Sequence, residues 1–491
     1  MRYIAIDLGA ESGRVMTGIL EDNKLELQQM HRFSNQPVHC NGTFYWDFLR
    51  LWHDICDGIQ RAVATFGNTW DGIGVDTWGV DFGLLDDRGQ LLGNPVHYRD
   101  GRNHGAMKST FDTCPKDKIF ASTGAQFLEF NTLYQLMALK NQHSIQLKSA
   151  QTLLLMPDLF HYALSGVRNT EYTIASTTQM ISANARVWDQ DLLQQLKLSA
   201  QILPEVTMPG TVLGNVLPEV TTRTGLDSQT PVIAPAGHDT ACAVAAVPAE
   251  SNDNWAFLSS GTWSLMGVEL DKPLINSAVQ QYNFTNEGGV GGKIRFLKNI
   301  AGLWLVQECR RSLAREGREY SYAELTQKAS EVEPLSSWIN PDDAAFVAPV
   351  DMPQAIREYC ISTCQTPPED EATLIRICLE SLALKYRWTL EKLEELTERK
   401  LDVLHIVGGG TQNKLLCQLT ADCLKRTVIA GPVEATASGN ILVQAMARGH
   451  VTNLAHLRQI VRNSWDVMTY EPHVNQSGYW DNAYSKFRRL M

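Results

Sequence analysis

IAIDLGAESGR (residues 4–14) opens the chain with an apolar, β-branched run and a turn rich in Gly and Ser, and the apolar run VMTGIL follows. The same order recurs at WAFLSSGTWSLMGV (255–268), where Ser, Gly and Thr separate two apolar runs. Both stretches predict a strand, a tight turn and a second strand. We therefore expect two similar halves, each of which begins with this unit.

The two turns are also candidate anion sites. A turn rich in Gly, Ser and Thr can direct several backbone N–H groups to one side, and such a nest binds phosphate without a lysine. Two nests from two halves could bind one polyphosphate. Each turn taken alone is explained by an ordinary β-hairpin, and the two turns together leave the phosphate interpretation open at this point.

Strands alternate with helices along the rest of the chain, which indicates an α/β protein. Further buried strands are predicted at IGVDTWGVDFGLL (73–85), PVIAP (231–235) and LHIVGG (404–409). Helices are predicted over 48–66 and 374–400, where apolar residues recur at three- and four-residue spacing. The least regular central segment is 246–255, so the predicted domains are 1–247 and 248–491.

Composition excludes several classes of protein. The 491 residues include 43 Lys and Arg against 54 Asp and Glu, and a net charge of −11 argues against a nucleic-acid or anionic-membrane partner. No apolar run approaches the ~20 residues of a spanning helix, and the N-terminus lacks the apolar region of a signal peptide. Ten cysteines without zinc-ligand pairs indicate a reducing compartment, and we expect a cytoplasmic protein.

Two questions stay open from composition alone. Cys360, Cys364 and Cys378 lie close enough in sequence to form a disulfide or redox pair, although a reducing compartment disfavours one. The oligomeric state is not readable from the sequence, and a monomer is the expectation.

Asp239 is the strongest candidate for catalysis. The segment VIAPAGHDTACAVAA (232–246) passes from a strand through Gly237 and His238 to Asp239, and small helix-forming residues follow. A carboxylate at a helix N-terminus is stabilised in its ionised form, and the preceding Gly would let a ligand approach, as a base that accepts a proton from an alcohol requires. The alternative is that Asp239 only caps the helix.

Three further sites could bind ligands. Asp7, at the end of the first strand and beside a Gly-rich turn, could hold Mg²⁺ through water, or it could cap the turn. Gly79 interrupts the strand pattern of DTWGVDF (76–82), which indicates a bulge or a close ligand contact. The glycines of GGGTQN (408–413) could let an adenine ring lie against the backbone. Walker A, dinucleotide-binding, zinc-protease and α/β-hydrolase motifs are absent from the sequence.

The motifs also occur together in a known order. The sequence contains, in this order, DLGAESGR (7–14), DTWGVDF (76–82), YRDGR (98–102), NTLYQL (131–136), GHDT (237–240), SSGTWSLMG (259–267), NEGG (286–289), LKNIAGLWLVQ (297–307) and HIVGGGTQN (405–413). This series resembles the FGGY family of carbohydrate kinases over nearly the whole chain. The resemblance implies two ribonuclease-H-like domains of the actin and hexokinase type around an active-site cleft, which agrees with the two similar halves.

The resemblance also implies which residues form the site. Asp239 matches the catalytic base. The nucleotide-binding positions are Ala10, Glu11, Ser12, Gly13, Arg14, Thr262, Gln307 and Gly409. The sugar-binding positions are Gly79, His238, Asp239, Thr240 and Asn299. Glu11 departs from the family, which usually has a small Ser or Thr there, so the role of this side chain is open.

The activity implied is phosphoryl transfer from ATP, with Mg²⁺, to the C1 hydroxyl of L-rhamnulose. Asp239 would deprotonate that hydroxyl, the two nests would hold the phosphates, and closure of the halves would exclude water. L-Fuculose or L-xylulose is the alternative within the family. Outside it stand a non-enzymatic sugar sensor of the same fold and a chaperone-type ATPase, although neither end of the chain shows the basic helix-turn-helix that a transcriptional sensor needs.

Overall fold

A computed structural model describes residues 1–250, 254–334 and 337–491. The strands are β1 Arg2–Leu8, β2 Ser12–Glu21, β3 Lys24–Ser34, β4 Val38–Cys40, β5 Thr43–Tyr45, β6 Gly72–Thr77, β7 Phe82–Leu85, β8 Thr152–Leu155, β9 Thr170–Glu171, β10 Val206–Thr207, β11 Thr211–Asn215, β12 Pro231–Ala234, β13 Trp255–Ser260, β14 Trp263–Leu270, β15 Thr285–Gly288, β16 Ile294–Ala301, β17 Val403–Val407, β18 Thr427–Ala430 and β19 Met468–Tyr470. The α-helices are α1 Phe48–Phe66, α2 Ala106–Thr113, α3 Lys116–Thr123, α4 Thr132–Asn141, α5 Ile145–Ser149, α6 Met156–Ser165, α7 Tyr172–Ala175, α8 Gln190–Gln195, α9 Pro218–Thr224, α10 Asp239–Ala245, α11 Ser277–Tyr282, α12 Trp304–Arg315, α13 Tyr322–Ser330, α14 Met352–Ser362, α15 Glu371–Thr397, α16 Lys414–Leu424, α17 Ala435–Ala447, α18 Leu454–Ser464 and α19 Ser477–Phe487. The α/β prediction is confirmed.

The chain forms two compact units, and each is discontinuous in sequence. Unit 1 consists of Met1–Ala246, Glu269–Leu297 and Ala435–Ser464, and unit 2 consists of Val247–Val268, Lys298–Glu434 and Trp465–Met491. Two later segments of the chain therefore return to unit 1. The division into domains 1–247 and 248–491 stays a prediction. The boundary segment 246–255, on which this division rests, includes residues 251–253, which lie outside the described residues.

A six-stranded mixed sheet in the order β11-β12-β6-β1-β2-β3 forms the centre of unit 1. β1 pairs antiparallel with β2 and parallel with β6, so the predicted opening of strand, turn and strand is confirmed. β1 is buried from Tyr3 to Leu8, because α17 packs against β1 and β6 on this sheet. The sheet brings the ends of β1, β6 and β12 side by side, and the candidate site of unit 1 lies at these ends.

Unit 2 opens in the same way. β13 pairs antiparallel with β14 across a turn at 261–262, and β13 also pairs parallel with β17. β17 continues parallel to β18, and β19 closes this edge in the antiparallel sense. The repeat predicted from the two opening stretches is therefore confirmed in the strand pairing of each unit.

Both long helices are confirmed, with their caps. α1 has the predicted bounds, and the side chain of Asp47 accepts a hydrogen bond from the Arg50 N–H at 3.1 Å at its start. α15 begins at Glu371 because Asp370 caps it. It ends at Thr397 because the next residue, Glu398, has a φ of 53°.

The apolar run 73–85 forms two strands rather than the single strand predicted. β6 ends at Thr77, and β7 begins at Phe82 and pairs with β8 in a separate sheet. Val80 lies between them with a φ of 69°, a conformation that β-branched residues rarely adopt. A strand cannot continue through this conformation, so the chain turns here.

Two further expectations concern membranes and disulfides. None of the helices in the described ranges is long and apolar enough to cross a membrane. All ten cysteines are free thiols, so no disulfide forms among the three cysteines left open above. Cys360 and Cys378 are buried, and Cys364 is exposed.

Candidate functional site

Asp239 is the first residue of α10, as predicted, and His238 is the N-cap. Oδ1 of Asp239 accepts the backbone N–H of Thr240 at 2.5 Å and the Thr240 hydroxyl at 3.2 Å. The Oδ2 atom accepts no hydrogen bond within the described part of the chain, and the side chain is 29% exposed. Oδ2 is therefore the oxygen that a bound molecule can reach.

Two buried side chains hold the loop before Asp239. Oε2 of Glu171 accepts the N–H of Gly237 at 2.8 Å, and Oγ1 of Thr173 accepts the N–H of His238 at 3.2 Å. A Cβ on Gly237 would lie 2.9 Å from Oε2 of Glu171. The space that the missing side chain leaves, predicted to admit a ligand, is thus filled by this carboxylate, which fixes the loop that carries Asp239.

Three carboxyl groups at the strand ends share one electrostatic field. Asp7 on β1 and Asp76 on β6 are paired in the parallel register. Burial raises the pKa of Asp76 well above its usual value, and the charge of Asp7 adds to this, while a hydrogen bond from Asn440 opposes it. Burial, followed by the charge of Asp7, also raises the pKa of Asp239, against the effect of His238. The site therefore favours a cation, or protonation of one carboxyl group.

This donor set suits Mg²⁺ that is held together with phosphate. No three His, Cys, Asp or Glu side chains of the described residues are grouped so that they could hold a metal ion by themselves. Oδ1 of Asp76 is buried without a hydrogen-bond donor from these residues, and Arg14 forms an ion pair with Asp7. Mg²⁺ prefers one or two carboxylates plus water and substrate phosphates, so the residues present fit the predicted ion.

Gly79 lies at the strained corner between β6 and β7. A Cβ on Gly79 would approach the Thr177 side chain to 3.2 Å. Thr177 Oγ1 also accepts the N–H of Val80 at 3.1 Å, and the Val80 carbonyl accepts the Thr132 hydroxyl at 2.6 Å. These bonds hold Val80 in its unfavourable conformation. Strain of this kind is concentrated at binding sites, and the ligand contact of Gly79 stays a prediction.

Asp81 organises the aromatic side chains beside this corner. Its Oδ2 accepts the indole N–H of Trp46 at 2.6 Å and that of Trp78 at 3.0 Å, and its Oδ1 accepts a bond from Gln135 at 3.0 Å. Burial raises the pKa of Asp81 to about 6, although these donors oppose the shift. The two indole rings lie 4.1 Å apart, and His97 stacks on Trp46 at 4.3 Å. Trp46 and His97 were not found from the sequence, since no motif contains them.

The first turn is shorter than predicted. It comprises residues 9–11, whereas Ser12, Gly13 and Arg14 already belong to β2. A Cβ on Gly13 would lie 2.3 Å from the Phe33 ring, so packing alone requires glycine there.

The backbone of this turn is oriented by Asn35. The Asn35 side chain donates to the carbonyl of Gly9 at 2.8 Å, and the Asn35 N–H donates to the carbonyl of Glu11 at 3.0 Å. Because C=O and N–H point in opposite directions across a trans peptide, the N–H of Ala10 faces away from the Asn35 side chain. The N–H of Ala10 is therefore not used by Asn35, and phosphate binding at this turn stays a prediction.

The second turn is attached to the helix that carries Gln307. The carbonyls of Gly261 and Thr262 accept the N–H groups of Leu303 and Trp304 at 3.0 and 3.1 Å, at the start of α12. Gln307 lies one turn further along this helix. Its Oε1 is buried and has no hydrogen-bond partner among the described residues. Gln307 thus lies on the helix whose start is hydrogen-bonded to the second turn, and the shared nucleotide-binding role of Thr262 and Gln307 stays a prediction.

The three glycines at 408–410 differ in what they do. Gly408 has a φ of 86°, which favours glycine, and a Cβ on Gly410 would lie 2.0 Å from Oγ of Ser260. A Cβ on Gly409 would meet nothing within 4 Å. Of the three, Gly409 alone presents an open backbone surface, and its contact with a nucleotide stays a prediction.

The predicted residues are divided between the units. Gly79, His238, Asp239, Thr240, Asp7 and the stretch 10–14 belong to unit 1. Asn299, on β16, belongs to unit 2 with Thr262, Gln307 and Gly409. Two residues that sequence reasoning did not assign, Glu287 and Arg295, contact His238. Glu287 lies in the NEGG motif noted above, which was the one available signal.

Comparison with known protein families gives one consistent result. The model described as the N-terminal domain of the FGGY family of carbohydrate kinases matches residues 2–246. The model of the C-terminal domain of the same family matches residues 256–448. The two matches together cover most of the chain.

Full-length relatives are also similar. A rhamnulokinase from Bacteroides thetaiotaomicron is 45% identical over 489 residues, which are 100% of this chain and 99% of the relative. A rhamnulokinase from Pectobacterium atrosepticum is 43% identical over 97% of this chain and 95% of the relative.

Solved structures share the fold at lower identity. A ligand-bound xylulose kinase from Lactobacillus acidophilus has a TM-score of 0.80 at 17% identity, covering 100% of this chain and 97% of that chain. A Plasmodium falciparum glycerol kinase with ADP has a TM-score of 0.76 at 15% identity, covering 100% and 98%.

Proposed function

The chain belongs to the FGGY family of carbohydrate kinases and has its two-domain, actin- and hexokinase-like fold, and from this we propose that it phosphorylates L-rhamnulose at the C1 hydroxyl with ATP. The products are L-rhamnulose 1-phosphate and ADP. The observation that carries the choice of sugar is the full-length likeness to two rhamnulokinases. The cytoplasmic location stays a prediction.

In this proposal Asp239 acts as the general base through Oδ2. The Thr240 N–H and hydroxyl occupy Oδ1, which leaves the other oxygen to accept the proton of the sugar hydroxyl. The raised pKa of Asp239 supports this role, because a base closer in pKa to the operating pH transfers protons more efficiently. Glu171 and Thr173 hold the loop and keep the carboxylate in place.

We assign sugar binding to Gly79, His238, Thr240 and Asn299. The strained corner at Val80, next to Gly79, supports a sugar site in unit 1, because strain of this kind is concentrated at binding sites.

We assign nucleotide binding to Ala10, Glu11, Ser12, Gly13 and Arg14, together with Thr262, Gln307 and Gly409. The orientation of the first turn by Asn35, the link between the second turn and α12, and the open face of Gly409 support this assignment. Asp7 would hold Mg²⁺ through water. When bound, the ion neutralises charge on the transferred phosphoryl group.

A panel of ketoses tests the proposed substrate. ADP release is measured with L-rhamnulose, with its stereoisomer L-fuculose, with the five-carbon L-xylulose and without sugar. We expect the highest kcat/KM with L-rhamnulose and little ADP without sugar. A higher kcat/KM with another ketose would make that ketose the substrate, and the protein would still be a carbohydrate kinase of this family. ADP release that does not depend on sugar would indicate a chaperone-type ATPase, and calorimetric sugar binding without ADP release would indicate a sensor.

Substitutions at two neighbouring glycines test the nucleotide assignment. Gly409→Ala places a methyl group on an open surface, so it should leave stability unchanged and raise the KM for ATP roughly tenfold, given that an extra methyl in a close contact costs about 1–3 kcal/mol. In Gly410→Ala the added methyl group would collide with the Ser260 side chain, so this variant should lower the melting temperature instead. An unchanged KM for ATP in Gly409→Ala would remove Gly409 from the nucleotide site.

A further inference from the structure

A buried ion pair in unit 1 contacts His238, the residue that precedes the candidate base Asp239. Glu287 on β15 and Arg295 on β16 face each other in the antiparallel register, and their side chains are 5% and 0% exposed. Nη2 of Arg295 is 3.1 Å from Oε2 of Glu287. Burying two charges costs several kcal/mol per ion, so such a pair contributes little to stability compared with apolar residues of the same size.

The ion pair contacts the imidazole of His238. Nη2 of Arg295 lies 3.1 Å from Nδ1 of His238, and Oε2 of Glu287 lies 3.3 Å from the same nitrogen. Nε of Arg295 donates to the Gly288 carbonyl at 2.7 Å, which fixes the plane of the guanidinium group. A guanidinium has only donors, so Nδ1 is the acceptor in its contact with Nη2. Oε2 of Glu287 lies closer to Nη2 than to Nδ1 and pairs with the guanidinium, and a neutral imidazole then carries its hydrogen on Nε2.

The other side of the imidazole faces the base. Nε2 of His238 is 3.4 Å from Oδ1 of Asp239, the oxygen that Thr240 already contacts. An Nε2–H group at this distance places its positive end beside Oδ1 and favours the orientation that keeps Oδ1 on this side. The rotation of the carboxylate is then restricted, and Oδ2 stays directed to where a hydroxyl can bind.

We propose that Glu287 and Arg295 are positioning residues for phosphoryl transfer, which hold His238 in the Nε2–H form and thereby orient Asp239. The inference rests on the proposed function of Asp239 as the base. Neither residue contacts the reacting atoms. Arg295 sets the tautomer, and Glu287 balances its charge in the buried site, so that the effect reaches Asp239 through one imidazole ring.

The experiment uses the full-length double variant Glu287→Met/Arg295→Met, because an apolar pair of similar size avoids a lone buried charge. We expect a melting temperature close to that of the unchanged protein, an unchanged KM for ATP and a kcat lower by about 10–100-fold, the range found when supporting contacts of a site are lost. The same substitutions at the Arg376–Glu380 pair of α15, which is also buried and whose atoms are 2.6 Å apart, are the matched control and should leave kcat unchanged.

Two further measurements separate positioning from a structural role. When the double change is added to Asp239→Asn, kcat should stay at the level of Asp239→Asn alone. The two residues act only by orienting the base, and this variant has no base to orient. Nitrogen NMR of the neutral histidine should show Nε2–H for His238, and this preference should disappear in the double variant.

Unchanged kcat in a folded double variant, or an Nδ1–H tautomer in the unchanged protein, would overturn the inference. If the double variant does not fold, the NMR measurement on the unchanged protein decides the tautomer. The activities of Arg295→Lys and Arg295→Met then decide whether Arg295 acts as a positioning residue. Lys keeps the charge but presents a point donor, so Arg295→Lys should retain more activity than Arg295→Met. Failure of the unchanged protein to phosphorylate any ketose would instead refute the proposed function.

Discussion

Replacing Asp239 with Asn is expected to lower kcat by about 10²–10⁴-fold and to leave the KM for ATP nearly unchanged. Asn has the shape of Asp, and its amide oxygen can keep the contacts with Thr240 that fix the side chain. Its amide nitrogen cannot accept a proton at neutral pH, so the sugar hydroxyl loses its base. Turnover is measured by ADP release with saturating ketose and ATP.

Asp191→Asn is the matched control for this variant. Asp191 is also a carboxylate in the first turn of a helix, and it lies exposed on α8. It should retain full activity, which separates loss of the base from loss of a helix-terminal charge. Near-normal turnover of Asp239→Asn would exclude Asp239 as the base.

The pH dependence of kcat/KM gives an independent test of Asp239 as the base. Asp239 must be ionised to accept a proton, so activity should fall as the pH decreases through its pKa. Burial and the charge of Asp7 raise that pKa, and the acidic limb of kcat/KM should therefore lie above the value of about 4 usual for Asp. The residual activity of Asp239→Asn should lack this limb.

Gly439→Ala is expected to destabilise unit 1 by about 1–3 kcal/mol or more, since overpacking in a contact that cannot relax has costs of this size. Gly439 lies on α17, and a Cβ there would be 1.9 Å from the backbone oxygen of Cys242 on α10. A backbone atom cannot rotate away, so the two helices must separate. Because α10 begins with Asp239, kcat should fall together with the melting temperature.

Gly478→Ala is the matched control for this second variant. Gly478 also lies in a helix, α19, and a Cβ there would meet nothing within 4 Å. It should be neutral or slightly stabilising, because Ala favours helix more than Gly does. Equal melting temperatures for the two variants would show that α10 and α17 do not pack as described.

Asn440, next to Gly439, connects α17 to the acidic residues. Its side chain donates to Oδ2 of Asp76 at 2.6 Å, across 364 positions of the sequence. A shift of α17 would weaken the hydrogen bond to Asp76, and this would alter the electrostatic field around Asp7 and Asp239. This link gives α17 a role in the site that no local pattern in the sequence indicates.

The elements that were predicted correctly are those with a local cause. The apolar spacing of α1, the run of β1 and the turn at 261–262 follow from side-chain period and turn chemistry within a few residues. The position of Asp239 at a helix N-terminus followed in the same way, since small helix-forming residues come directly after it.

The sequence by itself therefore determined the α/β class, the repeated opening of the two halves and the family, because each depends on local patterns or on motifs in order. Only the tertiary structure decided that Val80 breaks the run 73–85, that Glu171 occupies the space beside Gly237, and that Glu287 and Arg295 lie behind His238. The physical reason is that these contacts join residues distant along the chain. A contact of this kind is set by how strands and helices pack, and no pattern of neighbouring residues specifies it.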